Sequence, residues 1–259
     1  MTLLTSYESV KGTLRPQVQG DCGIFSFYNA VCILRQEDAR HPAVPPPRKR
    51  FRGKSDATGP SLRNHAKKLL DSGQGEILSK DEMVGLLTAH GYGAASVGPH
   101  GDVSESRRTD FIDRALGAGH PVLVPYLADD DPNGKVGPVV TVAPSAGAHW
   151  SVLIARTGPD EVKAVEPNDP ATLRTWSLKT VLASNAMTDR VKFPQYWEKV
   201  RLPNSTKVHY IEPVTDPTDL AIRRKAGKRI YDLDPKGVGR QDAMNLSNLL
   251  IAIVPRRTA

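Results

Sequence analysis

The sequence predicts an α+β protein in which helices are gathered early and an antiparallel sheet follows. Apolar residues recur at helical spacing over 21–36 and again after Ser79. The second half instead contains short apolar runs separated by turn residues, a pattern typical of strands joined by hairpins. This order favours helices packed on an antiparallel sheet over alternating βαβ units.

Three early segments have helical patterns. The first, over 21–36, is amphipathic. The second follows Ser79, which begins a capping-box pattern, and stops at Gly91. A third, short helix is predicted to begin at Thr109 and to end near Gly119.

Strands are predicted mainly in the second half. The runs 150–155 and 162–165 flank a Thr-Gly-Pro-Asp turn and are expected to pair. A short helix is predicted over 177–183. The other predicted strands are 121–126, 207–211 and 249–254.

Length and composition favour a single packed domain over 1–259. The chain has 259 residues, of which 39% are hydrophobic and 24% charged, values ordinary for a globular protein. Its two cysteines, Cys22 and Cys32, would lie about 15 Å apart on one helix, beyond the roughly 7 Å limit for a disulfide. No segment has the composition of a membrane span or a Sec signal. We therefore expect a cytoplasmic protein, or an effector secreted by a non-Sec route, with no membrane partner.

Positive charge is concentrated in one stretch. The formal net charge is +7, and five basic residues lie between positions 48 and 54, directly after three prolines. The segment 41–60 is predicted to be a Pro-rich, basic, mobile insertion outside the core. A polyanion-binding patch is the less favoured alternative. Because no nucleic-acid-binding signature accompanies it, we expect no nucleic-acid partner.

The strongest chemical signal is Cys22, at the predicted start of the first helix. A helix N-terminus stabilises a thiolate through its partial positive charge and free N–H groups. Gly23 would let a substrate backbone approach, and the upstream glutamines could donate to an oxyanion. A buried, inert cysteine is the alternative from this segment alone.

A second signal is His149, which directly precedes a predicted strand after a glycine-containing loop. Thiol catalysis needs an imidazole that takes the proton and later delivers it to the leaving amine. The two partners are commonly distant in sequence. His149 is therefore the candidate base.

A third polar group ends the next predicted strand. Pairing of the two strands would return Glu166, Asn168 and Asp169 to the neighbourhood of His149. A carboxylate or amide there can orient the ring by accepting its N–H. The residues alone leave the choice among the three open.

These motifs together resemble the papain-like clan of cysteine peptidases. That clan has a Cys on a helix, then a His beginning a strand, then a polar residue ending the next strand. The segment 17–30 resembles the nucleophile region of the bacteriocin-processing peptidases of ABC exporters and of the actin maturation proteases. The run 121–126, followed by Ala148-His149-Trp150, resembles an actin maturation protease pattern: a leucine-isoleucine-proline-tyrosine strand, then an alanine-histidine-tryptophan strand. Trp176-Ser177 and Ser184-Asn185 are similar to the region that follows.

The resemblance implies a papain-like fold with Cys22 as nucleophile, His149 as base and an upstream glutamine in the oxyanion hole. Papain has its glutamine six positions before the cysteine, where this chain has Pro16. Gln17 is closer to that spacing than Gln19 and is preferred.

The resemblance also bears on the orienting residue. The exporter peptidases end the orienting strand in Asp-Pro, and the corresponding pair here is Glu166-Pro167. Glu166 is therefore the first choice for completing a catalytic triad. Asn168 would be closer to papain.

The expected activity is that of a thiol protease, a hydrolase that cleaves a peptide or isopeptide bond through a thioester intermediate. The resemblance to actin maturation proteases suggests processing of a substrate's N-terminus as one form of this activity. Its partner would be a protein or peptide substrate, and it needs neither metal nor organic cofactor. One alternative is a papain-like effector or toxin acting as a glutamine deamidase or acyltransferase. Another is a non-catalytic binding module with a basic face. No feature of the sequence indicates an oligomeric state.

Overall fold

A computed structural model describes residues 2–17, 22–47, 61–70, 77, 79–99, 103–128, 137–141, 147–188, 198–201, 208–211 and 246–255. Within these ranges, helices and antiparallel strands are mixed, which confirms the α+β prediction. The helices are α1 (Leu3–Val10), α2 (Cys22–Glu37), α3 (Leu62–Leu70), α4 (Lys80–Ala89), α5 (Glu105–Gly117) and α6 (Leu178–Asn185). The strands are β1 (Tyr92–Val97), β2 (Val122–Ala128), β3 (Gly147–Gly158), β4 (Glu161–Val165), β5 (Leu173–Ser177), β6 (Glu198–Arg201), β7 (Val208–Ile211) and β8 (Leu250–Pro255).

Six strands form one antiparallel sheet in the order β1-β8-β2-β3-β4-β5. Alternation along β3 sends Val152 and Ile154 to one face and Leu153 to the other. The first face packs against helices α1 to α4, and the second against α5 and α6. The sheet is thus the middle of three layers, with a core on each side. Strands β6 and β7 form a separate two-stranded sheet.

Side chains of α6 hold the end of β2 that β8 does not cover. Strand β8 pairs with β2 only at Val122 and Leu123. Further along, the Ser184 hydroxyl accepts from the Leu127 backbone N–H at 2.9 Å and donates to the Leu127 carbonyl at 3.0 Å. The Asn185 amide donates to the Pro125 carbonyl at 2.8 Å. These bonds tie α6 to the backbone of β2, where the Leu127 carbonyl also accepts from the Val139 backbone N–H at 2.9 Å.

Most predicted elements are confirmed, within the usual uncertainty of helix and strand ends. Helix α2, the Ser79-capped α4, the β3–β4 hairpin and α6 occupy the predicted segments. The predicted strands 121–126, 207–211 and 249–254 correspond to β2, β7 and β8.

The predicted start of the third helix at Thr109 is wrong. Helix α5 begins at Glu105, and the Ser104 hydroxyl caps it by accepting from the Arg107 backbone N–H. The first turn of α5 is largely exposed and therefore lacks the apolar periodicity from which the start of the helix could have been predicted. Helices α1 and α3 and strands β1, β5 and β6 were not predicted either.

The first part of the predicted insertion 41–60 belongs to the packed core. Val44 is buried in the cluster of the first face, and the Tyr92 hydroxyl donates to the Pro42 carbonyl at 2.6 Å. The rest of the predicted insertion, 48–60, which includes the five basic residues, lies outside the described part of the chain. The prediction that the insertion 41–60 lies outside the core is therefore wrong for its first part, 41–47.

Asn29 fastens the chain that precedes α2 to that helix. Its side-chain oxygen accepts from the Arg15 backbone N–H at 3.0 Å, and its side-chain nitrogen donates to the Arg15 carbonyl at 3.1 Å. Asn29 is fully buried. This two-point bond fixes the backbone at Arg15, two residues before Gln17.

Asn29→Ala should therefore destabilise the fold. It removes two hydrogen bonds, each of which contributes about 0.5–1.5 kcal/mol net, so the free energy of unfolding should fall by about 1–3 kcal/mol in urea denaturation. Arg15→Ala is the matched control, since it leaves both backbone partners of Asn29 in place and removes an exposed side chain whose hydrogen bond is to Tyr28; it should cost less stability than Asn29→Ala. Equal losses in the two variants would contradict this account.

Candidate active site

Cys22 is the first residue of α2 and is half-buried. The first N–H groups of a helix lack intrahelical partners, and together with the helix dipole they favour negative charge at that end. Residues 18–21, which include Gln19, lie outside the described part of the chain. The structure thus places the sulfur where a thiolate would be stabilised.

Close packing around Gly23 sets the start of α2 against β3. A methyl group at Gly23 would lie 3.1 Å from side-chain atoms of Ile77 and 3.2 Å from the Trp150 ring. The Trp150 indole N–H donates to the Ile77 carbonyl at 3.0 Å, and the Ser26 hydroxyl donates to the Trp150 carbonyl at 3.0 Å. From the sequence, we expected the absence of a side chain at Gly23 to leave room for a substrate backbone. In the structure, the side chains of Ile77 and Trp150 pack against Gly23 instead. Since Gly23 follows Cys22 and Trp150 follows His149, this contact brings the two site residues together.

His149 lies within β3, two residues after the strand begins, and not before it as predicted. Its side chain is hydrogen-bonded to Cys22. Its Nε2 lies 2.5 Å from Oε1 of Glu166. Because Nε2 is taken by Glu166, Nδ1 is the ring nitrogen left for the sulfur.

Glu166 directly follows β4 and is 1% exposed. Its Oε1 accepts from His149, and its Oε2 accepts from the Asn168 backbone N–H at 2.8 Å. The Ser151 hydroxyl donates to the Val165 carbonyl at 2.8 Å, tying the two strands together just before Glu166. A buried carboxylate held at both oxygens has a fixed orientation and compensated charge.

The other two polar candidates do different work. Asn168 supports Glu166 through its backbone N–H. Asp169 forms an ion pair with Arg174 at 3.0 Å. Of the three residues that end this strand, Glu166 is the one that contacts the His149 ring.

The surroundings of His149 favour its protonated form. Burial alone lowers the pKa of the imidazole, but the negative charge of Cys22 and hydrogen bonds with Cys22 and Glu166 outweigh it, and the pKa is raised. The ring can therefore hold a proton at neutral pH, as the base beside a catalytic thiol must.

Gln17 lies beside the Glu166 turn. Its backbone N–H donates to the Pro167 carbonyl at 2.7 Å, and Asn29 holds the backbone two residues earlier. The segment before the helix thus runs alongside the orienting residue. Its role in an oxyanion hole stays a prediction.

Tyr126 is a part of the site that the sequence analysis did not select. It stands directly opposite His149 in the β2–β3 ladder. The two rings meet edge to face, with centroids 5.4 Å apart and planes at 82°. Periodicity identified the strand but not its register with β3, and the register is what brings Tyr126 to the imidazole.

The remaining expectations concern metals, membranes and known relatives. In the described ranges, His, Cys, Asp and Glu form no group of three or more that could hold a metal ion. No helix there has the length and apolar character required to cross a bilayer. Neither a protein-family model nor a curated protein matches the chain.

Glu166→Gln should lower the pKa of His149, because it removes a negative charge that helps to raise it. A lower pKa means that the imidazolium loses its proton at a lower pH as the pH rises. The ring-proton NMR titration of His149 should therefore shift to lower pH. Asp169→Asn is the control, since Asp169 pairs with Arg174, and it should leave the titration nearly unchanged. Identical curves for wild type and Glu166→Gln would contradict the coupling.

Proposed function

We propose that this chain is a cysteine peptidase of papain-like fold that hydrolyses a peptide or isopeptide bond in a protein substrate. The observation that carries the proposal is a chain of side-chain hydrogen bonds that links Cys22 to His149 and His149 to Glu166. Its members come from the start of α2, from β3 and from the residue after β4. A nucleophile bonded to a base that is itself oriented by a carboxylate is the arrangement that acyl transfer requires.

The proposed reaction begins with transfer of the Cys22 proton to Nδ1 of His149. The thiolate attacks the carbonyl carbon, a carbon–sulfur bond forms, and the π electron pair moves to the oxygen. Collapse of this intermediate restores the carbonyl and breaks the carbon–nitrogen bond, while His149 gives its proton to the leaving amine. A water molecule, deprotonated by His149, then attacks the thioester carbonyl carbon. A carbon–oxygen bond forms, the carbon–sulfur bond breaks, and the proton on His149 returns to the Cys22 sulfur.

Glu166 has an orienting role in this mechanism. By accepting from Nε2, it keeps Nδ1 directed at the sulfur and stabilises the positive ring. The Asn168 backbone N–H fixes the carboxylate in turn. A raised pKa of His149 keeps the proton available for the leaving amine at neutral pH.

Charge on the carbonyl oxygen needs hydrogen-bond donors. The first N–H groups of α2, which have no intrahelical partners, are suitable, since they are beside the attacking sulfur. Gln17 is the proposed side-chain donor, by its position five residues before Cys22. A helix terminus combined with an upstream glutamine supports the interpretation of a papain-like fold. So does the packing of the helix that bears Cys22 on an antiparallel sheet.

The direct test is incubation with a mixed peptide library and identification of the products by mass spectrometry. Cleavage products that form with wild type and not with Cys22→Ala support the proposal. Conversion of glutamine to glutamate without chain scission would instead indicate a deamidase. Products from neither reaction would overturn the proposed activity and favour a binding module.

Cys22 and Cys32 should differ sharply in reactivity toward iodoacetamide near neutral pH. Burial raises the pKa of the Cys32 thiol and outweighs its hydrogen bond to Tyr28, so little thiolate forms there. Cys22 is hydrogen-bonded to an imidazole with a raised pKa. Peptide mapping should show fast labelling at Cys22, and His149→Ala should slow it on the order of 10-fold or more.

Two variants complete this experiment. Cys32→Ala should keep the fast phase, and Cys22→Ala should lose it. Equal labelling rates at Cys22 with and without His149 would show that the two residues are not a catalytic pair.

A further inference from the structure

Two consecutive residues of β3 are joined to the first two turns of α2. The Cys22 side chain is hydrogen-bonded to that of His149. Ser26 lies four residues after Cys22, and its hydroxyl donates to the carbonyl of the next strand residue, Trp150, at 3.0 Å. Residues four apart lie on the same face of a helix. One face of α2 is therefore joined to β3 twice, by the candidate catalytic pair and by Ser26 one turn further on.

The Trp150 carbonyl depends on Ser26 for a donor. In the β2–β3 ladder Trp150 stands opposite Pro125, which has no N–H. On its other side, the β3–β4 ladder ends at the pair Val152 and Val165 and does not reach Trp150. Among the described strands, neither neighbour thus offers an N–H to this carbonyl. The hydrogen bond is buried, and a buried carbonyl without a donor would cost free energy.

The Ser26 bond fixes a direction that packing leaves free. The contacts of Gly23 with Ile77 and with the Trp150 ring limit how closely α2 approaches β3. Apolar contacts are non-directional, whereas a hydrogen bond weakens as its length or angle departs from the optimum. A rotation of α2 about its own axis would stretch the Ser26 bond. Because Cys22 lies on the same helix face, that rotation would also move the sulfur relative to His149.

We propose that Ser26 is a positioning residue, whose hydrogen bond to the Trp150 carbonyl holds α2 in the rotation that keeps the Cys22 side chain hydrogen-bonded to His149. This inference rests on the proposed function. Ser26 acts through the backbone of the helix and the strand and takes no part in the proton transfer. A displacement of about 1 Å between reacting groups can slow a reaction on the order of 100-fold. A bond that restricts this rotation therefore affects the rate.

The test compares Ser26→Ala with Thr188→Val by the rate at which iodoacetamide labels Cys22, measured by peptide mapping. Thr188 is the matched control, because it is fully buried and its hydroxyl donates to the Asn185 carbonyl at 3.0 Å, at the end of α6. At about pH 6.5, Ser26→Ala should react about 3- to 10-fold more slowly than wild type, which corresponds to the net contribution of one hydrogen bond. Thr188→Val should react at the wild-type rate. At about pH 10 all rates should converge, because the thiolate then forms without help from His149.

Two further measurements separate positioning from a general loss of stability. The ring-proton NMR titration of His149 should shift to lower pH in Ser26→Ala, because the hydrogen bond with Cys22 helps to raise the pKa of the ring. Ser26→Thr keeps a hydroxyl donor and should restore both the labelling rate and the titration. Alanine favours a helix more than serine does, so Ser26→Ala is expected to fold. Rates are compared below the lowest melting temperature of the variants.

Three results would overturn the role of Ser26. The first is a wild-type labelling rate at pH 6.5 in Ser26→Ala, the second is an equal slowing in Thr188→Val, and the third is a Ser26→Thr variant as slow as Ser26→Ala. In each of these cases His149→Ala would still slow the labelling of Cys22. Failure of the proposed function is distinguishable, because it would appear as unchanged labelling in His149→Ala itself.

Discussion

The close packing of Trp150 against Gly23 and Ile77 is the constraint on which the site depends. Cys22 and His149 belong to different elements and are 127 positions apart in the sequence. Their immediate neighbours, Gly23 and Trp150, approach so closely that a single methyl group at Gly23 would need to displace a side chain. Protein interiors of this density transmit small displacements. The position of the sulfur relative to the imidazole is therefore set by packing next to it.

Near that contact, hydrogen bonds offset the free-energy cost of burying a charged side chain. The Glu166 carboxylate is almost completely buried, and hydrogen bonds from His149 and from the Asn168 backbone compensate for its lost hydration. Ser151 and Asn29 hold the two backbone segments that lead to the site. Some buried polar groups are not compensated, since the hydroxyls of Tyr126 and Ser6 have no hydrogen-bond partner among the described residues. Each such group costs some stability.

Local patterns predicted the parts of the fold that depend on neighbouring residues. The amphipathic period identified α2, and the apolar runs around a Gly-Pro turn identified the β3–β4 hairpin. That hairpin alone returns Glu166 toward His149. The residues alone could not select Glu166 over Asn168 and Asp169, because the choice depends on which side chain turns inward at the end of β4. The resemblance of Glu166-Pro167 to an Asp-Pro pair made Glu166 the first choice.

Contacts between distant segments could not be predicted in this way. Strand β8 was identified as a strand, but its insertion between β1 and β2 is a long-range pairing that no local pattern encodes. The tertiary role of Asn185, which bonds to Pro125 and Leu249, follows from that insertion. Tyr126 was missed for the same reason, since its place beside His149 comes from strand register.

The central claim is that Cys22 forms a covalent acyl intermediate with the help of His149. Its most direct measurement is an acid quench, within the first turnover, of the protein mixed with the p-nitrophenyl ester of an N-acetylated peptide, followed by peptide mapping. The account predicts that the acyl mass is found on Cys22 and that His149→Ala accumulates it much more slowly. An acyl group found on Cys32 or on lysines alone, or on no residue, would contradict the account.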